Sequence, residues 1–113
     1  MELQKIAEAL TCQNLTSVDG SIDVKTVVAS DGMSEILAFS RPGALMLTGL
    51  TNIQSVRTAV VADACAIIYV RGKRPADKVL ELASEKGIPV LMTWLGMFDS
   101  CGILYRMGLK GAM

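Results

Sequence analysis

Four short runs of apolar residues divide most of this chain, and each is followed by a stretch with helical spacing. The runs are "DVKTVVAS", "ALMLT", "CAIIYV" and "IPVLMT". The first is rich in β-branched residues and ends near Ser30, and "CAIIYV" is apolar on both of its faces. Behind them come Met33 to Phe39, closed by Pro42 and Gly43, then "NIQSVRTAVVAD", "ADKVLELASEKG" and "WLGMFDSCGILYRMG". Strand–helix alternation of this kind demands a mainly parallel sheet with helices on both faces, because parallel neighbours need a crossover. The expected fold is therefore α/β, a three-layer α/β/α arrangement around a mainly parallel sheet of four to five strands. An N-terminal amphipathic helix, with Leu3, Ile6, Ala7 and Leu10 on one face, precedes it. "TCQNLTSVDGS" reads as a connection with turn chemistry at Asp19-Gly20.

At 113 residues the chain has length for one domain spanning 1–113 and for one core. Hydrophobic residues make up 51% and mean hydropathy is +0.44, yet no apolar run approaches the roughly 20 residues of a membrane span. Excess apolar surface on so small a domain points instead to a homo-oligomer, with a dimer as the first expectation. Eleven basic residues balance eleven acidic ones and aromatics are only 4%, which gives neither the field nor the stacking surface for nucleic acid. The acidic residues of "MELQKIAEAL" do not suit a secretory signal, and a cytoplasmic location is expected.

Histidine is absent, and the three cysteines, Cys12, Cys65 and Cys101, form no CxxC pair. A zinc or iron–sulfur centre within one chain lacks its usual ligand set. The simpler expectation is three small buried thiols, with Cys65 fitting it best, and no cofactor. No Ser-His-Asp or Cys-His arrangement exists and no spacing marks a carboxylate pair, so the sequence reads as a protein that is not an enzyme.

The alternation also gathers the four loops that follow the strands at one edge of the sheet, where open α/β folds take their ligands. In "MLTGLTN", Thr48, Gly49, Thr51 and Asn52 are candidates for an anion site built on backbone N–H groups, against the simpler reading of a turn with a helix cap. Arg71 directly follows a central strand and, with Gly72, is placed to clamp a phosphate or carboxylate. Lys73 and Arg74 read as a solvated turn. Asp31 with Ser34 offers partners for a ligand hydroxyl, against Ser30 or Asp31 capping the next helix with Glu35 in a capping box. Thr93 and Trp94 follow the last strand, and the single tryptophan suits base stacking or an interface anchor. Pro75 is expected at the first turn of its helix, and Ile53, Val56, Val60 and Val61 share a helical register.

Several stretches resemble the DRTGG domain family: "ASDGMSEILA", "GALMLTGLTNIQSVRTAV", "AIIYVRGKRPADKVLELASEKGIPVLMT" and "MFDSCGILYRMG". The resemblance runs from Val27 to Gly108. It implies an α/β domain similar to the N-terminal domain of HPr kinase/phosphatase. It also implies a regulatory or ligand-sensing role, here for a nucleotide or phosphorylated metabolite. The family includes single-domain proteins encoded near bacterial iron-only hydrogenase subunits, and this chain looks most like those. That implies the alternative role of a structural or assembly partner in a redox complex. The chain departs from the family's two signatures. Gly49-Leu50-Thr51 stands where Gly-Asp-Arg is usual, and Val70-Arg71-Gly72 where Thr-Gly-Gly is usual.

Overall fold

A computed structural model describes residues 1–113. The elements in chain order are α1 (Leu3–Ala9), β1 (Gln13–Asn14), β2 (Thr26–Ala29), α2 (Met33–Phe39), β3 (Leu45–Thr48), α3 (Ile53–Val61), β4 (Ala66–Tyr69), α4 (Asp77–Glu85), β5 (Val90–Met92), α5 (Met97–Arg106) and β6 (Lys110–Gly111). The sheet has six strands in the order β1-β5-β4-β3-β2-β6. All neighbours are parallel except β1, which pairs antiparallel with β5. The α/β architecture is the expected one, and the sheet is larger than the expected four to five strands. β1 and β6 are two residues long; β1 falls in the segment that reads as a connection, and β6 lies past the last helical stretch. A pair of residues carries no period of its own, and only the partner strand defines it.

From β2 to β5 each crossover moves one strand along in the same direction. Right-handed crossovers then place α2, α3 and α4 on one face. Met33, Ile36, Val56, Ala59, Val79 and Ala83 of these helices pack on Met46, Ile67, Tyr69 and Val90 of the sheet. The opposite face carries α1 and α5, where Leu3, Ile6, Leu10 and Leu104 meet Leu45, Leu47, Ile68 and Leu91. Residues of β3 and β4 are buried along their whole length, as a doubly covered parallel strand requires.

Several local expectations are corrected. Val60 and Val61 are exposed, and α3 instead buries Ser55, Val56, Thr58 and Ala59. α3 lies between α2 and α4, and no residue it buries is larger than valine. The N-cap of α2 is Gly32, without a side-chain cap bond. Ser30 Oγ accepts from Gly32 N–H and donates to Glu35, while Asp31 turns away to another loop. Pro75 is buried but precedes α4 by two positions. Cys65 is only half-buried, as are Cys12 and Cys101. No helix is long and apolar enough to cross a membrane.

The two faces are covered unequally. Strands about 4.8 Å apart make six strands roughly 24 Å wide between the outer axes, and helices about 10 Å apart cover such a width three at a time. Three helices do so on one face, while the other has two. The uncovered end, over β2 and β6, is an apolar groove of about 210 Å³ lined by Val27, Ala29, Cys101, Leu104, Tyr105 and Leu109.

Candidate functional site

The loops after β2, β3 and β4 meet at the C-terminal edge of the sheet, and Asp31 is the residue that joins them. It sits just past β2. Its Oδ1 accepts the Gly49 N–H at 2.7 Å and the Thr48 hydroxyl at 3.3 Å. Its Oδ2 accepts from Arg71 Nη2 at 3.3 Å. Both members of this ion pair are partly open to water, with side chains 41% exposed for Arg71 and 49% for Asp31. A pair so solvated contributes well under about 1 kcal/mol. The Gly49 N–H holds the Asp31 carboxyl below its ordinary range. Partial burial opposes this, and the Arg71 and Thr48 bonds add to it.

The Arg71 guanidinium lies directly over the Gly49 backbone, and a β-carbon at position 49 would push it aside. Gly72 has φ +66°, and a β-carbon there would strike the Trp94 indole. The exposed indole therefore rests on the Gly72 backbone, next to Arg71. Arg71 itself has φ +65°, a costly conformation for a residue with a side chain. Its N–H is fixed to Leu95 O at 2.8 Å, and the Gly72 N–H to Thr93 O at 2.9 Å. These bonds aim the guanidinium back across β3 towards Asp31.

The eight candidate residues thus divide. Asp31, Thr48, Gly49 and Arg71 form one cluster, with Gly72 beside it. Asn52 serves as the N-cap of α3, accepting from Ser55 N–H at 3.3 Å, and Thr51 is half-buried in the same turn. Thr93 is fully buried. Its hydroxyl donates to Leu10 O at 2.6 Å and accepts from Leu95 N–H at 3.2 Å, so it ties α1 to the sheet and does not face the edge. Two couplings escaped sequence reasoning: the Asp31–Arg71 pair, 40 positions apart, and the seat of Trp94 on Gly72. Strand order supplies the missing signal, because β3 lies between β2 and β4, and residues just past both flanking strands converge on its loop.

Three donors hold the Asp31 carboxylate at this edge. One backbone N–H, one hydroxyl and one guanidinium converge on Asp31, which is the donor set that holds a phosphate or carboxylate oxygen. No proton-transfer partner accompanies it. The thiols lie elsewhere, and burial pushes those of Cys12 and Cys65 up to about 11 and raises that of Cys101 as well. No three Cys, Asp or Glu side chains come together to hold a metal ion.

The DRTGG domain model matches residues 5–107. This chain belongs to the DRTGG domain family. In fold it is similar to the CBS and DRTGG domains of the regulatory region of Clostridium perfringens pyrophosphatase, whose structure is complexed with the activator diadenosine tetraphosphate. The TM-score is 0.76 at 18% identity, over 91% of this chain and 45% of that one. The DRTGG chain here thus spans about half the length of that regulatory region, and at such identity the likeness is one of fold. No curated protein matches it in sequence. Asp31 and Arg71 bring a carboxylate and a guanidinium to the Gly49 turn from the two neighbouring strands.

Proposed function

We propose that this DRTGG domain is a non-enzymatic regulatory module, acting as one unit over residues 1–113 and associating with a second copy. Its ligand is a small anion, a nucleotide or a phosphorylated metabolite, taken at the C-terminal edge of the sheet. The observation that carries this reading is the Asp31 carboxylate seated on the Gly49 N–H and the Thr48 hydroxyl beneath Arg71. An incoming phosphate exchanges with Asp31, keeping the same donors and freeing the guanidinium to pair with the ligand. The exposed Trp94 beside Arg71 offers a flat surface to a base or sugar. A cytoplasmic setting suits the three free thiols.

Titration with adenine and guanine nucleotides, pyrophosphate and sugar phosphates tests the reading, followed by melting temperature and by the fluorescence of the single tryptophan. The expected result is a rise in melting temperature with at least one compound, lost in Arg71→Ala and strengthened in Asp31→Asn, which removes the internal competitor. If no compound stabilises the protein, or if Arg71→Ala binds as the parent does, the ligand reading fails. A second reading, a structural or assembly partner in a hydrogenase-like redox complex, draws support from Leu37, Phe39, Val60 and Val61, apolar residues exposed on the three-helix layer. A complex that copurifies without any small molecule and survives mutation of the edge would favour it.

A further inference from the structure

The outward face of α5 exposes two large aromatic side chains, Phe98 and Tyr105. Ser100 and Leu104 point to the core. At 3.6 residues per turn, Gly102 lies opposite them, at the centre of the solvent face. Phe98 and Tyr105, seven residues apart, lie along one flank of Gly102 and are 88% and 78% exposed. Asp99 and Arg106, also seven apart, lie along the other flank and are exposed. The aromatic flank borders the groove over β2 and β6, which Tyr105 helps to line.

This pattern is self-complementary. We infer that α5 docks antiparallel against α5 of a second copy, about a two-fold axis through Gly102. Turning one helix end for end about that axis brings Phe98 opposite Tyr105 of the second copy and Asp99 opposite Arg106 of the second copy. Both pairs recur on the other side of the axis, so four favourable contacts arise from four residues. The same rotation places glycine against glycine at the crossing, where nothing lies within 4 Å of a β-carbon and the backbones are free to approach. The second helix lies over α5, on the side away from the sheet, with the aromatic flank next to the apolar groove. The antiparallel two-fold keeps each flank against itself and so pairs Asp99 with Arg106, whereas a parallel two-fold would set the charged flank against the aromatic flank of the second copy.

The area sets the strength. Aromatic side chains bury about 150–250 Å² each, so the two on each copy remove roughly 600–1,000 Å² in all, the small end of specific interfaces. The dimer is therefore one that dissociates on dilution. The inference rests on the self-association part of the reading above and is independent of its ligand.

Sedimentation velocity over a concentration series without ligand tests it. A reversible monomer–dimer equilibrium is expected. Gly102→Glu, at an exposed position with open space around its α-carbon, is expected to remain folded by circular dichroism and to be monomeric throughout. Asp99→Arg and Arg106→Asp each weaken the dimer at least tenfold, and the double variant carrying both restores it. A parent chain that stays monomeric at every concentration leaves the face to some other protein and overturns the inference. So does a dimer that Gly102→Glu leaves intact, or a double variant that fails to recover. Nucleotide titration of the Gly102→Glu monomer keeps the two proposals apart, because the edge cluster is untouched there.

Discussion

The sheet has a closed face and an open one, and the difference follows from how each was assembled. Three consecutive crossovers built the layer of α2, α3 and α4, each helix laid beside the last by the same right-handed connection. The layer of α1 and α5 comes from the two ends of the element order. α1 precedes the crossovers, and α5 is one long crossover from β5 back across the sheet to the parallel β6 at the far edge, so the two helices are not laid side by side and they stop short of β2 and β6. Each face nevertheless has one buried hydroxyl bond joining helix layer to sheet. On the closed face, Ser55 Oγ meets Tyr69 OH at 2.7 Å. On the open face, the Thr93 hydroxyl donates to Leu10 O at 2.6 Å. Closure is thus a matter of coverage, and both layers are anchored by the same kind of contact.

The largest expected effect tests coverage directly. Ile67→Ala, in the middle of the closed core, should cost about 4 kcal/mol, because its neighbours cannot collapse into the space. Leu104→Ala borders the groove and should cost nearer to 2.5 kcal/mol, since that site can relax. Urea denaturation gives both values, and equal losses would erase the distinction between the faces.

The anchors come next. Ser55→Ala leaves the buried Tyr69 hydroxyl without its partner and should cost about 2 kcal/mol. Thr93→Val removes one donor and one acceptor from the other face, at a loss of about 1–2 kcal/mol. If only the first variant were destabilised, α1 would be held by packing alone.

A gain is expected from the two buried hydroxyls that make no hydrogen bond, Thr58 in α3 and Ser100 in α5. Thr58→Val and Ser100→Ala should each raise stability by up to about 1 kcal/mol, one on each face. A loss at Ser100 alone would show that the open face hydrates that group.

The smallest effect is at the edge both layers share. The folded-state pKa of Asp31 is depressed, so its contribution is present above the unfolded value of about 4 and is lost as pH falls through the folded one. Asp31→Asn should therefore be less stable than the parent near neutral pH by well under about 1 kcal/mol, and should converge with it below about pH 4. Thermal melts from pH 3 to pH 7 read the difference.

What the sequence made legible was whatever repeats locally. Val79 and Ala83 of α4 and the run from Ala66 to Tyr69 are periodic or uniformly apolar within a few residues, and both stand where their pattern puts them. Asn52 was readable as a cap for the same reason. β1 and β6 were not, because they exist only as partners of β5 and β2. Val60 and Val61 misled because the inward side of α3 is taken by Ser55, Val56, Thr58 and Ala59, three of them too small or polar to stand out as a core stripe. At the edge, each of Asp31, Thr48, Gly49 and Arg71 stood out singly, and their union depends on strand order. Thr93 was misplaced because its partner, Leu10, lies 83 positions earlier.

Arg71 holds two neighbours by two different means, and that separates two clocks. Its side chain reaches Asp31 across β3, and its backbone N–H holds Leu95 on the approach to α5. Swinging the guanidinium away needs only side-chain torsions, which turn over in picoseconds to nanoseconds at an exposed position. Shifting the start of α5 requires breaking the Arg71–Leu95 and Gly72–Thr93 backbone bonds, a rearrangement on the scale of microseconds or longer. Under the proposed function, capture of an anion at the edge would thus precede any response of the far helix. Relaxation-dispersion measurements on the Leu95 and Gly72 amides would time the slower event by itself.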